Sequence, residues 1–109
     1  MYVYDQAHAL AKAICQSEEY KIVKGQKAKI DSDPELKKMF NDYRTKQFEI
    51  QKMQIIGQQV PEATMQMFRQ MHDIVVSNSA LLSFLEAENR FATVMGDIQK
   101  ILVDGLDLG

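Results

Sequence analysis

The residues best suited to binding a metal lie in one stretch, "TMQMFRQMH" at positions 64–72, which holds three methionines and a histidine. Thioether sulfurs bind Cu(I), but several must surround one ion. At about 100° per residue on a helix, Met67 and Met71 share one side, whereas Met65, Arg69 and His72 point elsewhere. The sulfurs do not converge, so the pattern predicts a methionine packing stripe at a core or an interface and no metal site.

Cys15 is the single cysteine of the chain, which excludes an internal disulfide and a cluster of thiolate ligands. His8 lies seven residues before it, roughly 10.5 Å along a helix, so the two side chains cannot chelate one ion alone. The sequence contains no phosphate-binding loop, HExxH, GxSxG or CxxC motif. We therefore predict no catalytic residue, no cofactor and no enzymatic activity.

The charge balance is 13 basic against 15 acidic side chains, a net charge of −2. This balance gives no basic surface for phosphate backbones, so we expect no direct binding of nucleic acid. The first residues lack the basic and apolar regions of a signal peptide, and no apolar run approaches the roughly 18 residues of a membrane span. These features predict a cytoplasmic protein that does not insert into membranes.

Two prolines, five glycines and many good helix formers predict an all-α fold, a bundle of about five helices. Asp5 is the expected cap of a first helix that ends near Gln16. Ser17 is the expected cap of a second helix, which Gly25 is expected to shorten or bend.

The clearest start of a helix is Asp33 followed by Pro34, an N-cap and a proline at the first helical position. This helix is expected to end near Ile56, before Gly57, and to be roughly 34 Å long.

A fourth helix is expected to open at Pro61 and to end near Val76. Asn78 is the expected cap of the last helix, which should end near Val103. The resulting organisation is a single helical domain over residues 1–104 and a disordered tail over residues 105–109.

The long third helix has apolar residues on two sides. Leu36, Tyr43 and Ile50 repeat every seven residues, and Phe48 with Ile55 lies roughly opposite. A helix with two apolar sides must bury both, which predicts self-association, most simply as a two-fold homodimer. The expected interface residues, drawn from three helices, are Phe48, Ile55, Met67, Met71, Leu82 and Leu85.

Glu88 falls inside the apolar stripe of the last helix. A buried carboxylate needs a cationic or hydrogen-bonding partner, and Arg44 on the third helix is the hypothesised one. The alternative is that Glu88 lies at the edge of the stripe and reaches water.

Several stretches, taken in their order and spacing, resemble the YlbF/YheA/YmcA family of small helical bacterial proteins, especially its YheA-type branch. They are "YDQAHALAKAI", "SEEYK", "DPELKKMFNDYRTKQ", "GQ" at 57–58, "FLEAENRF" and "MGDIQKIL". The resemblance implies an all-α bundle that assembles as a homodimer or a larger oligomer. It also implies heteromeric complexes that influence competence, sporulation, biofilm formation and messenger-RNA processing. Relatives are associated with an iron–sulfur cluster held by cysteines near the chain ends; this chain has Cys15 alone, so the cluster is not carried over.

Three functions follow as hypotheses. The first is a non-enzymatic, self-associating module that regulates or scaffolds other proteins. The second is a small-ligand or metal-binding protein that uses the Met67 and Met71 region or Cys15. The third is an accessory subunit of a complex that influences RNA processing.

Overall fold

The structure, a computed structural model, describes residues 2–107. It contains five helices and, within those residues, no strand. The predicted all-α class and the number of helices are confirmed. The helices are α1 (Tyr2–Cys15), α2 (Glu18–Asp31), α3 (Pro34–Ile55), α4 (Glu62–Ser77) and α5 (Ser79–Leu106).

The chain divides into two compact units. The first comprises Met1–Lys27 and Phe84–Gly109, and the second comprises Ala28–Ser83. That residues 1–104 act as a single domain stays a prediction. α5 continues through Gly105 to Leu106, so this part of the expected tail is helical, whereas residues 108 and 109 lie outside the described residues.

Local sequence signals fix both ends of α3. The Asp33 carboxylate accepts hydrogen bonds from the backbone N–H groups of Glu35 and Leu36 at 3.1 and 3.3 Å, as the predicted N-cap should. At the other end, Gly57 has φ +78°. The Gly57 N–H donates to the carbonyl oxygen of Gln54, and the N–H of Gln58 donates to the carbonyl oxygen of Met53. This pair of bonds is the Schellman motif, in which a glycine ends a helix in the left-handed region.

Replacing Asp33 by alanine should lower the free energy of unfolding by about 1 kcal/mol, since two N–H groups of the first turn lose their acceptor. Thermal denaturation followed by circular dichroism would show this as a fall in Tm of about 4–8 °C. Asp33→Ser is the matched control, because serine caps comparably well. Equal losses in the two variants would contradict the capping role.

The other helix starts agree in part with the sequence. Asn78 caps α5 through its Oδ1, and Ser17 caps α2 through its Oγ, 3.3 Å from the N–H of Tyr20. Asp5 is not the cap of α1, which begins at Tyr2 and holds Asp5 in its first turn. Gly25 does not interrupt α2, a continuous helix of 14 residues; a single glycine costs a helix only about 1 kcal/mol relative to alanine.

The second unit is built around the contact of α3 with α4. Tyr43 on α3 lies against Phe68 and His72 on α4, while Ile50, one heptad later, lines a groove with Met65. Later residues of α3 thus meet earlier residues of α4, so the two helices are antiparallel. The buried residues of this unit are Ile30, Phe40, Tyr43, Ile50, Val75 and Leu81.

The first unit has a smaller buried centre. Phe84 and Ala87 on α5 are buried, and the Phe91 ring lies 5.7 Å from the ring of Tyr20 on α2. α1 contributes no buried residue to it.

Candidate interaction surfaces

The second apolar strip of α3 is open to solvent. Phe48 is 60% exposed and Ile55 is 84% exposed. Their seven-residue spacing places them on one side of the helix, about 140° away from the buried Tyr43 and Ile50. This side of α3 is available to a partner; that a second copy covers it stays a prediction.

The remaining expected interface residues differ in exposure. Met67 is 52% exposed and shares its strip of α4 with the exposed Ile74, seven residues later, whereas Met71 is half-buried. On α5, Leu82 is 36% exposed and Leu85 is half-buried. The apolar surface of α4 is therefore carried by Met67 with Ile74 more than by Met67 with Met71.

The expectation that Met65 and His72 point away from the packed side of α4 was wrong. Met65 is half-buried in a groove against α3, and His72 bonds Tyr43. A helical angle locates the Cα–Cβ direction, but a long side chain at the border of a stripe can turn towards the neighbouring helix. Arg69, also expected to point outward, does so: its Nη1 lies 3.2 Å from the carboxylate of Glu62 in an exposed ion pair.

Tyr43 is the centre of an aromatic cluster that the sequence reasoning missed. Its ring is stacked on Phe68 at 5.2 Å between centroids, with 13° between the planes. Its hydroxyl lies 3.0 Å from Nδ1 of His72, and the hydroxyl donates when Nε2 carries the imidazole proton. The seven-residue repeat predicts that Tyr43 is buried. Because a buried tyrosine hydroxyl usually has a hydrogen-bond partner, the sequence could also have predicted a polar residue facing Tyr43 on another helix.

Two open grooves adjoin at Met65 and Phe68, which line both. The smaller lies between α3 and α4, and the larger is lined by residues of α4. Their volumes are about 230 and 360 Å³. Apolar floors with polar edges suit the side chains of another protein, because the edge groups can bond the backbone or polar atoms that come with them. The edges carry Gln47, Gln51 and Gln54 in the smaller groove and Arg69, His72 and Asp73 in the larger one.

Arg44 and Glu88, the hypothesised buried pair, are both partly exposed, so neither is a fully buried charge. Nη1 of Arg44 donates to Oε1 of Gln47 at 2.8 Å, and the guanidinium lies 4.9 Å above the ring of Phe40. The pairing of Arg44 with Glu88 stays a prediction.

Potential metal ligands do not gather in the described part of the chain. Within residues 2–107, no three His, Cys, Asp or Glu residues are placed to hold an ion, and Cys15 is a free, exposed thiol. The pKa of Lys38 is raised by its hydrogen bond to Asp42 and by the charge of that carboxylate. This pair is exposed and spaced i,i+4 on a helix, an ordinary surface arrangement.

A bilayer-crossing segment is not found among these helices. Within residues 2–107, no helix combines the length and the hydropathy that a membrane span requires.

Comparisons with known proteins cover nearly the whole chain. Residues 3–107 match the family model described as "Control of competence regulator ComK, YlbF/YmcA". A UPF0342 protein of Alkalihalophilus pseudofirmus is 37% identical over 105 residues, which is 96% of this chain and 89% of that protein.

Solved structures share the fold. A protein of unknown function (DUF964) from Bacillus stearothermophilus has a TM-score of 0.86 at 19% identity, over 98% of this chain and 94% of that one. YheA from Bacillus subtilis has a TM-score of 0.69 at 23% identity, over 95% and 94%. Bacillus subtilis RicA in complex with RicF gives 0.65 at 16% identity, over 97% of each chain.

Proposed function

Because the chain belongs to the YlbF/YmcA family, we propose that it is a non-enzymatic, cytoplasmic helical module that self-associates and regulates or scaffolds other proteins. It would act through its surfaces, with no reaction of its own. Its net charge of −2 fits protein partners better than a direct grip on nucleic acid.

The observation that carries this proposal is the apolar strip formed by Phe48 and Ile55. Scattered apolar residues are normal on a surface, but this pair repeats at helical spacing, about 140° around α3 from the buried Tyr43 and Ile50. The strip of Met67 and Ile74 on α4 repeats the pattern. Helix sides of this kind are stable in water when another apolar surface covers them.

The test of this surface is Phe48→Glu combined with Ile55→Glu, with mass measured by light scattering across a concentration series. The wild type should form a dimer or larger species of its 12.5 kDa chain. The double variant should shift towards monomer, with an apparent dissociation constant raised at least about a hundredfold, because each buried unpaired carboxylate costs several kcal/mol.

The control combines Thr45→Glu with Lys52→Gln. These exposed positions are also seven residues apart on α3, and the net charge changes by the same two units. The control should keep the mass of the wild type. If Phe48→Glu with Ile55→Glu also keeps that mass, this strip is not the interface; a wild type that is monomeric throughout would refute self-association.

A second candidate, a subunit of a heteromeric complex, is favoured by the likeness to RicA, which was solved in complex with RicF. In that case the exposed strips would receive a different protein, and any influence on RNA processing would pass through that protein. Affinity capture from the native host, repeated with Phe48→Glu and Ile55→Glu as bait, would identify a partner specific to the strip. Capture of the same proteins by both baits would contradict this candidate.

The rival small-ligand or metal-binding function would be revealed by elemental analysis and native mass spectrometry of the purified protein. Under our proposal, the mass is an integer multiple of the chain mass, with no stoichiometric metal or retained compound. A bound metal or ligand in equal amount to the chain would favour the rival.

A further inference from the structure

The residues that line the smaller groove repeat at the spacing of a helix–helix contact. Those on α3 are Gln47, Ile50, Gln51 and Gln54, at positions i, i+3, i+4 and i+7. Four side chains at this spacing surround one hollow on the surface of a helix, and in coiled coils a side chain of the facing helix inserts into such a hollow. The smaller groove therefore has the outline that a side chain of another helix requires.

The larger groove repeats this outline on α4. Four of its lining residues, Met65, Phe68, Arg69 and His72, have the same spacing, and Asp73 extends the groove by one residue. The two hollows share Met65 and Phe68, so they lie side by side on an antiparallel pair of helices. One added helix can fill both, because its side chains three and four residues apart project from one side.

The open form of the two grooves favours a helix over a small ligand. A small-molecule site usually encloses most of the surface of its ligand, whereas, among the described residues, the larger groove is lined by one side of α4. The shared floor is apolar: Ile50 is buried, and Met65 and Phe68 are half-buried. Methionine adapts its shape to the side chain that it meets, so the floor suits the apolar side of an incoming helix.

The symmetry of a self-contact favours a different protein as the source of this helix. A two-fold contact brings the same patch of both copies together, so each hollow would face another hollow across the axis and not a protruding side chain. The exposed apolar strips also point elsewhere. Phe48 and Ile55 lie about 80–100° around α3 from Gln47. Met67 lies about 160° around α4 from Met65.

The charges on the rim of the grooves indicate a basic partner. Glutamine side chains, which are neutral, form the rim of the smaller groove. On the rim of the larger groove, the charge of Arg69 is balanced by Glu62 in an ion pair. The exposed carboxylate of Asp73 then makes this rim negative, with His72 counted as neutral. A lysine or arginine beside the apolar side chains of the incoming helix would complement it.

We infer that the two adjoining grooves bind one amphipathic helix of a different protein. Its apolar side chains, three and four residues apart, fill the two hollows, and its lysine or arginine faces Asp73. This mode of recognition is a helix lying in a groove. The inference rests on the second candidate function, a subunit of a heteromeric complex, and assigns to it a surface and the chemistry of the partner.

The test measures the binding of three labelled synthetic helices by fluorescence anisotropy. Each is a peptide of about 18 residues with a side-chain cross-link that keeps it helical. The first has leucines at alternating spacings of three and four, flanked by lysines; the second has glutamates in place of the lysines; the third has the composition of the first with its leucines dispersed around the helix. We expect the first to bind the wild type at least about fivefold more tightly than the other two.

Gln51→Trp, which fills the smaller hollow with an indole ring, should weaken the binding of the lysine helix at least about tenfold. Gln70→Trp is the matched control, because Gln70 is also an exposed glutamine on a helix but lies about 140° around α4 from Met65. Its affinity for the lysine helix should stay within about twofold of the wild type. Circular dichroism reports the folding of each variant.

Asp73→Lys supplies a second measurement, which holds even if Gln51→Trp does not fold. It should weaken the lysine helix at least about fivefold and strengthen the glutamate helix. Asp97→Lys makes the same change of charge at an exposed position of α5 and should leave the preference for the lysine helix as it is in the wild type.

The inference is overturned if the lysine helix shows no saturable binding to the wild type, or binds Gln51→Trp and Gln70→Trp equally. A shift of the wild-type oligomer to monomer in Gln51→Trp alone would overturn it in favour of a second copy. A compound retained by the wild type and lost in Gln51→Trp would overturn it in favour of a small ligand. Phe48→Glu with Ile55→Glu leaves both grooves unchanged, so a monomeric strip variant together with failed helix binding would refute the inference and leave the proposed function standing.

Discussion

Tyr43→Ala is expected to lower the Tm by about 15 °C or more. Tyr43 is 4% exposed and is stacked on Phe68, so removing its ring leaves a cavity between α3 and α4. Truncation of a buried aromatic residue costs about 3–5 kcal/mol, and each kcal/mol corresponds to about 4–8 °C in a domain of this size. Urea denaturation followed by far-ultraviolet circular dichroism measures the loss directly.

Tyr43→Phe separates the ring from the hydroxyl. It retains the stack on Phe68 and removes the 3.0 Å contact with Nδ1 of His72, so we expect a loss of only about 1 kcal/mol. If Tyr43→Phe were as destabilising as Tyr43→Ala, the polar contact would hold the cluster together. If neither variant were destabilising, the packing of α3 on α4 at this point would be contradicted.

Leu81→Ala should destabilise the protein by about 3–5 kcal/mol, because Leu81 is fully buried and alanine would leave a cavity. The neighbouring residue supplies the control. Leu82 is 36% exposed, so Leu82→Ala should cost less than about 1 kcal/mol at concentrations where the chain is monomeric. Equilibrium unfolding of both variants at equal concentration gives the comparison.

The concentration dependence of Leu82→Ala carries further information. If Leu82 belongs to an interface, as the sequence predicts, the loss should grow when the protein is concentrated, since association stabilises the wild type more than the variant. Equal losses of stability in Leu81→Ala and Leu82→Ala would contradict the structure, in which Leu81 faces the core at the start of α5 and Leu82 faces solvent.

The helix ends that the sequence predicted correctly share a physical cause. The cap at Asp33, the cap at Asn78 and the stop at Gly57 depend on hydrogen bonds within about five residues. Such contacts are decided by neighbours in the chain, so residue type and spacing are enough to predict them.

The features that the sequence did not predict depend on distant residues. Asp5 has the chemistry of a cap, but the helix extends past it to Tyr2, and propensity alone does not choose between two possible starts. The helical angle of His72 points away from the packed side of α4, but the side chain turns towards α3 because it contacts the hydroxyl of Tyr43 there. The pairing of Arg44 with Glu88 also depends on how two different helices lie, and it stays a prediction.

The methionine-rich stretch shows how far the candidate surface could be anticipated. Its predicted division into a packed and an open side was confirmed for Met71, which is half-buried, and for Arg69, which is exposed, but Met67, predicted to pack beside Met71, is 52% exposed. Met65, predicted to point away from the packed side, lies instead in the groove beside Ile50, where a long flexible side chain fits. Ile74, 55% exposed, completes the exposed strip with Met67.

If the strip of Phe48 and Ile55 on α3 and the strip of Met67 and Ile74 on α4 each bind another chain, as we propose, one short chain has a valency of two. With a single two-fold contact, growth stops at a pair; with two, each added copy leaves another surface open until the assembly closes on itself. A related chain that offers only one matching surface would stop growth wherever it bound. The ratio of two such chains, rather than the amount of either, would then set how large the assembly becomes.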